Sequence, residues 1–169
     1  GGAGGAGGAG GAGGAGGEGG EGGEETGRAH ETANHGDRCD RLHRTLKRIV
    51  KARGSLDAQE AAALREAQAL GMWRRYGYTS LLDYMERELG YTPRAALERL
   101  RVAHAIVELP QIAAQLEQGD LSFSGARELT RVATPETEGE WLGATKEMNL
   151  REVEEAVSGH KKGELPSDP

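Results

Sequence analysis

Two segments of this chain are punctuated in the same way, and that repetition constrains the fold more than any other feature. Gly90-Tyr91-Thr92-Pro93-Arg94-Ala95-Ala96-Leu97-Glu98-Arg99-Leu100 and Gly119-Asp120-Leu121-Ser122-Phe123-Ser124-Gly125-Ala126-Arg127-Glu128-Leu129 each set a glycine that stops one helix shortly before a hydroxyl residue that can cap the next. The helix that follows carries arginines and an apolar stripe. Helix, tight turn and arginine-bearing helix is the spacing of a helix-turn-helix unit, whose second helix can be offered to a DNA groove. A purely structural helical hairpin carries the same signature.

The flanking segments follow suit. Leu42, Leu46, Ile49 and Val50 recur at helical spacing and predict an amphipathic helix over 37–53, with bases on its other face and Gly54 as its stop. Ser55 precedes an alanine-rich helix over 56–70, closed by Gly71. Thr79 or Ser80 caps a helix over 81–89. Thr92 and Pro93 open one that runs to about Leu109, whose two adjoining stripes (Ala96, Leu97, Leu100, Ala103, Val107 and Val102, Ile106, Leu109) imply cover on more than one side. Pro110 opens a short helix over 111–118, stopped by Gly119. Ser122 or Ser124 starts another over 125–132, with Ala126, Leu129, Val132 and Ala133 inward and Arg127, Glu128 and Arg131 outward. Thr134-Pro135 starts a helix through Trp141 and Leu142 to about Met148, and Asn149-Leu150-Arg151-Glu152 has capping-box spacing for a last helix ending at Gly159. No segment alternates with period two. The expected fold class is all-α: a compact multi-helix domain with helix-turn-helix-like units.

Composition matters first at the N-terminus. Residues 1–27 hold 17 of the 28 glycines, four glutamates and no large apolar side chain. Such a segment cannot bury enough apolar surface to offset the entropy of ordering glycine, and its Gly-Gly-Ala period lacks the proline that would hold a collagen-like strand. A disordered Gly/Ala-rich tail is expected over 1–36, a helical domain over 37–159 and the start of a linker over 160–169.

Without the tail's four glutamates, 21 Lys and Arg stand against 23 acids, a net charge of −2 for residues 28–169. This excludes a uniformly basic nucleic-acid binder. Charge is nonetheless segregated: Arg38, Arg41, Arg44, Lys47, Arg48, Lys51 and Arg53 outnumber Asp37 and Asp40, whereas seven glutamates between Glu136 and Ser158 face only Lys146 and Arg151. The basic segment suits phosphate contact or internal pairing equally. Trp73, Tyr76 and Tyr84 could stack bases, but at a helix junction such aromatics seal a core. On the helix after Thr92, Arg94, Glu98 and Arg101 fall on the outer face, where they either present a recognition surface or pair with one another, and His104 reads as a packed or edge histidine.

Cys39 is the only cysteine, so no internal disulfide can form, and a cytoplasmic location is the default expectation. No apolar run approaches the roughly 20 residues that cross a bilayer. The chain does not begin with Met, and Leu165-Pro166-Ser167-Asp168-Pro169 reads as a linker continuing into further sequence, so a piece of a longer protein is expected.

Several of these segments, in this order, carry a resemblance. Trp73-Arg74-Arg75-Tyr76-Gly77-Tyr78-Thr79-Ser80-Leu81, Gly90-Tyr91-Thr92-Pro93-Arg94-Ala95-Ala96, Gly119-Asp120-Leu121-Ser122-Phe123-Ser124, Arg131-Val132-Ala133-Thr134-Pro135-Glu136-Thr137-Glu138 and the closing Gly159-His160-Lys161-Lys162-Gly163-Glu164-Leu165-Pro166 resemble the N-terminal helical region of bacterial HNH endonuclease-like proteins, across residues 37–169. The resemblance implies a DNA-cleaving parent in which a small metal-binding ββα module lies beyond the linker. That module, with its water-activating histidine and a divalent cation, is not in this chain.

The chain's own residues offer no substitute. His30, Asn34 and His35 have no strand pair to position them, the glycine-rich tail lacks a Walker-type lysine, and no nucleophile elbow or paired-cysteine zinc site is present. The glutamates of Glu152-Val153-Glu154-Glu155 read as a solvated helix face. No catalytic residue, cofactor, metal or small-molecule substrate is therefore expected in this chain; a divalent metal belongs to the nuclease module alone. Two functions remain. In one, the chain is the DNA-engaging or target-positioning part of an HNH-type endonuclease, with Arg94, Arg101, Arg127 and Arg131 on two presented helices and Arg41, Arg44, Lys47, Arg48 and Lys51 touching the phosphates of double-stranded DNA. In the other it is an interaction module that forms a homodimer or docks the nuclease. A stand-alone helix-turn-helix regulator uses the same units.

Overall fold

Local stop and start signals set the element boundaries of the computed structural model, in which residues 22–167 are described. Among them are the helices α1 (Gly22–Leu70), α2 (Leu81–Arg87), α3 (Pro93–Ala105), α4 (Pro110–Gln118), α5 (Phe123–Val132), α6 (Glu138–Thr145) and α7 (Leu150–Ser158), with 3-10 turns at Met72–Tyr76 and Ile106–Glu108 and no strand. The all-α expectation holds.

The caps are those the residue types require. Ser80 Oγ accepts from Asp83 N at 3.0 Å, Thr92 Oγ1 from Ala95 N at 3.2 Å and Ser122 Oγ from Gly125 N at 3.0 Å. Asn149 and Glu152 form the reciprocal capping box. Gly71, Gly90 and Gly119 stop their helices with positive φ of 63°, 75° and 75°.

The first helix departs from expectation at both of its predicted boundaries. Of the expected tail, residues 1–21 lie outside the described residues, whereas 22–36 are helical. Extending an existing helix gains one hydrogen bond per residue fixed and needs no second nucleus, so it proceeds past weak formers such as Gly27 and Gly36. Gly54, expected as a stop, instead lies inside the helix and is buried. A Cβ there would come within 2.5 Å of Leu116 O and 2.6 Å of Gly119 Cα, and a Cβ on Gly119 would strike the backbone of Lys51. The two glycines thus let the backbone of α1 cross the end of α4 at a distance that no side chain permits.

The chain divides into two units, 1–43 and 44–169. The described part of the first is helical, and its described side chains are exposed. In the second, α5 is the central element, packed against α3, α4, α6 and α7, with Ala126, Leu129, Thr130 and Val132 buried. Trp141, Met85, Ile112, Leu116 and Val102 complete the core at essentially no exposure. Of the α3 stripes, Ala96, Val102 and Ala103 are buried, but Leu97 and Val107 face solvent. Trp73 and Tyr84 pack against the core as expected, and Tyr76 does not.

Two long-range ties fix the arrangement. Leu109, the cap residue of α4, has no capping side chain, and the buried Glu138 of α6 supplies one: its carboxylate accepts from Gln111 N at 3.1 Å and Ile112 N at 3.0 Å. Residues 160–167, expected to begin a linker, fold back on the domain. Gly163 N donates to Val132 O at 2.8 Å, Trp141 Nε1 donates to Glu164 O at 2.9 Å, and the His160 ring stands edge-on to Trp141 at 5.1 Å.

Candidate nucleic-acid interface

The arginines expected on two presented helices converge on one face of α3 and α5, where α7 joins them. Arg101 bridges α3 to α5. Its guanidinium donates to Glu98 Oε2 at 2.9 and 3.2 Å, to Thr130 Oγ1 at 3.2 Å and to the backbone oxygen of Arg127 at 2.8 Å. Arg127 reaches Glu128 at 2.9 Å and Glu154 of α7 at 3.3 Å, and Arg131 reaches Glu98 at 3.3 Å and Glu128 at 3.4 Å. Arg94, exposed at the start of α3, forms no ion pair among the described residues.

The cleft these residues line, about 300 Å³, therefore carries Arg94, Arg127 and Arg131 against Glu98, Glu128 and Glu154. With Arg101 also bound to Glu98, four arginines meet three glutamates on this face, and the cation in excess is Arg94, unpaired among the described residues. Burial pushes the Glu98 carboxyl upward, but the hydrogen bond and charge of Arg101, with the charges of Arg131 and Arg127, outweigh it and hold the group below its usual value. Arg101 follows the pairing alternative for the outer face of α3, bound to Glu98 one turn away, and adds partners on α5 that its own helix does not disclose. The sequence signal for this was present in Glu98 and Glu128, each one helical turn from an arginine; Glu154 and Thr130 lie 27 and 29 residues away from their partners.

A neighbouring set uses arginine in the same structural way. Arg99 of α3 pairs with Asp57 of α1, and its guanidinium lies 3.7 Å from the centre of the Phe123 ring. Arg65 Nη1 donates to Ala103 O at 2.7 Å, and Tyr91 donates to Glu60 at 2.7 Å. Burial, then the hydrogen bond to Glu60, raises the Tyr91 hydroxyl to about 12.

The second candidate set behaves differently. Arg44, Lys47, Arg48 and Lys51 are all exposed on α1, and no ion pair involves them among the described residues. In the N-terminal unit Arg41 is likewise exposed. Spacings of three, one and three put Arg44, Lys47, Arg48 and Lys51 along one ridge of the helix, with Leu46, Ile49 and Leu56 on another side. This is a row of cations without ion-pair partners among the described residues along one helix, the electrostatic requirement for contact with a phosphate backbone.

A cleft of about 790 Å³ between α4, α5 and α6 is lined by Gln111, Gln115, Gln118, Gly139, Gly143 and Lys146 among others, apart from both arginine sets. His30 and Asn34 are exposed on α1, and among the described residues no group of three or more His, Cys, Asp or Glu is placed to hold a metal ion. Among the described residues no helix is long and apolar enough to cross a membrane. No family model, curated protein or solved structure matches this chain.

Proposed function

We propose that this chain is the DNA-engaging helical region of an HNH endonuclease-like protein, that it holds duplex DNA through the basic ridge of α1, and that the cleavage chemistry resides in a separate nuclease module. The observation that carries the reading is the contrast in neutralisation: Arg44, Lys47, Arg48 and Lys51 have no carboxylate partner among the described residues, whereas Arg101, Arg127 and Arg131 each have at least one. Binding at phosphates releases counterions only where the cation was not already paired, so the ridge has the greater yield. It reads backbone and not bases, which makes the engagement sequence-independent. The net charge of −2 on residues 28–169 keeps such binding local and salt-sensitive.

The test is fluorescence anisotropy of the full chain with a labelled random duplex at low and at moderate salt. Binding that weakens steeply with salt is expected. Replacing Arg44, Lys47, Arg48 and Lys51 together with Gln should weaken it severely and lower the salt slope of what remains by about three to four. No binding at low salt, or binding untouched by the fourfold variant, would remove the proposal.

A further inference from the structure

The side of α1 away from the basic ridge carries large apolar residues that the domain does not cover. Leu46 is 61% exposed, Val50 51% and Leu56 62%, while Leu64, on the same helix two turns further on, is 5% exposed. The difference marks two separate uses of one helix: Gly54, Ala61 and Leu64 face the rest of the domain, and Leu46, Ile49 and Leu56 do not. In the N-terminal unit Leu42 is 62% exposed and precedes Leu46 by four positions. From Leu42 the sequence steps by four, three, four and three through Leu46, Ile49, Arg53 and Leu56. That is the alternation of a two-helix seam, in which successive residues meet the same partner helix.

We propose that two copies of this chain pair helix against helix through this stripe of α1, with Leu46, Ile49 and Leu56 in the seam and Val50 at its edge. The charge pattern selects a second copy over other occupants. The flanks of the seam are Thr45 and Ala52 on one side and Val50 and Asp57 on the other, and Asp57 is already paired with Arg99. Arg44, Lys47, Arg48 and Lys51 all fall away from the seam, so two copies approach without opposing these four cations. Arg53 is the one cation within the stripe, and its long aliphatic stem can cover the seam while its head reaches water. A lipid surface would also take an apolar stripe backed by bases, but an interfacial helix favours a wide apolar face anchored by aromatics. This stripe is narrow, contains no Phe, Trp or Tyr, and is interrupted by Arg53. The seam is short, so the pairing is weak and concentration-dependent. Pairing does not rest on DNA binding, because it uses the opposite side of the helix.

Sedimentation velocity of the full chain in reducing buffer, from about 1 to about 200 µM, reads this directly. The expected result is a concentration-dependent shift from monomer to dimer mass. Leu46→Glu with Ile49→Glu should weaken the association by about 50-fold or more while leaving the thermal transition in place, since both side chains are exposed. The milder Leu46→Ala with Ile49→Ala should fall between, which separates a lost seam from a lost fold. A monomer at every concentration, or a dimer of unchanged strength in the glutamate variant, overturns the proposal. So does a monomer that floats with phosphatidylcholine–phosphatidylserine vesicles and loses them in the glutamate variant, which assigns the stripe to a membrane surface.

Discussion

The two arginine-rich surfaces of this chain are built from the same residue types and use them in opposite ways. On α3 and α5, the guanidinium groups of Arg101, Arg127 and Arg131 interlock with Glu98, Glu128 and Glu154 and with backbone oxygens, so their charge is spent on holding helices together. On α1, the cations of Arg44, Lys47, Arg48 and Lys51 stand exposed with no ion-pair partner among the described residues. A helix that bears arginines after a tight turn is thus not by itself a recognition helix. What distinguishes the two surfaces is whether carboxylates from neighbouring elements share the face.

The largest effect that can break this comparison acts where the two regions are joined. Gly119 combines a φ of 75° with a backbone contact against Lys51. Gly119→Val adds strain in the left-handed region to a clash that only separation of α1 from α4 relieves, so a loss of about 4 kcal/mol in urea unfolding is expected. The ridge on α1 would then detach from its support. A variant of near-normal stability would show that the close crossing is not what seats this part of α1.

The next effect sharpens the comparison within α3 and α5. Arg101→Ala removes hydrogen bonds to Thr130 and to the Arg127 carbonyl and strips the half-buried Glu98 of its nearest cation. About 2 kcal/mol of stability should be lost, read by denaturant midpoint, with the salt slope for DNA unchanged. A lower salt slope at undiminished stability would return Arg101 to the interface. Charge state can be probed at the same place with pH. The folded-state carboxyl of Glu98 lies below its unfolded value, so its contribution is complete above the ordinary glutamate range and is lost as pH falls through the lowered folded value. Glu98→Gln should therefore be less stable than the parent at neutral pH, with the gap closing on acidification. A gap that widens in acid would contradict the assignment of the arginines as its stabilising partners.

What the sequence disclosed follows the reach of each interaction. The caps at Thr92 and Asn149 were legible, and those at Ser80 and Ser122 were narrowed to two candidates each, because the hydroxyl or amide and the amide it serves lie three residues apart. The core positions Ala126, Leu129, Val132 and Ala133 were legible for the same reason, as one stripe on one helix. Gly54 was not. Whether a glycine ends a helix or admits a neighbour depends on what approaches it, and here that is Gly119, far along the chain. The pairing of Arg101 was half legible: Glu98 is one turn away, but Thr130 and the Arg127 carbonyl come from another helix. Glu138 reads as one more acid in a glutamate-rich stretch, and only the fold reveals it as the cap of α4. Leu42, Leu46, Ile49 and Val50 read as an apolar stripe, and that the described residues leave it uncovered appears only in their exposure.

The smallest expected effect is also the cleanest control. Arg48→Gln on α1 removes a side chain that is exposed and pairs with no carboxylate among the described residues, so unfolding stability should stay within about 0.5 kcal/mol of the parent. The same substitution should lower the salt slope for duplex binding by about one, because one phosphate contact and its released counterion are gone. The two readings move independently only if the charge faces outward. A melting transition lowered by several degrees would mean that the ridge is neutralised internally, as on α3 and α5, and the difference between the two surfaces would then lie in which acids they face and not in whether they face any. Unchanged stability with an unchanged salt slope would leave the ridge solvated and move DNA contact elsewhere, to Arg94 first, since it is the arginine of the other surface that forms no ion pair among the described residues.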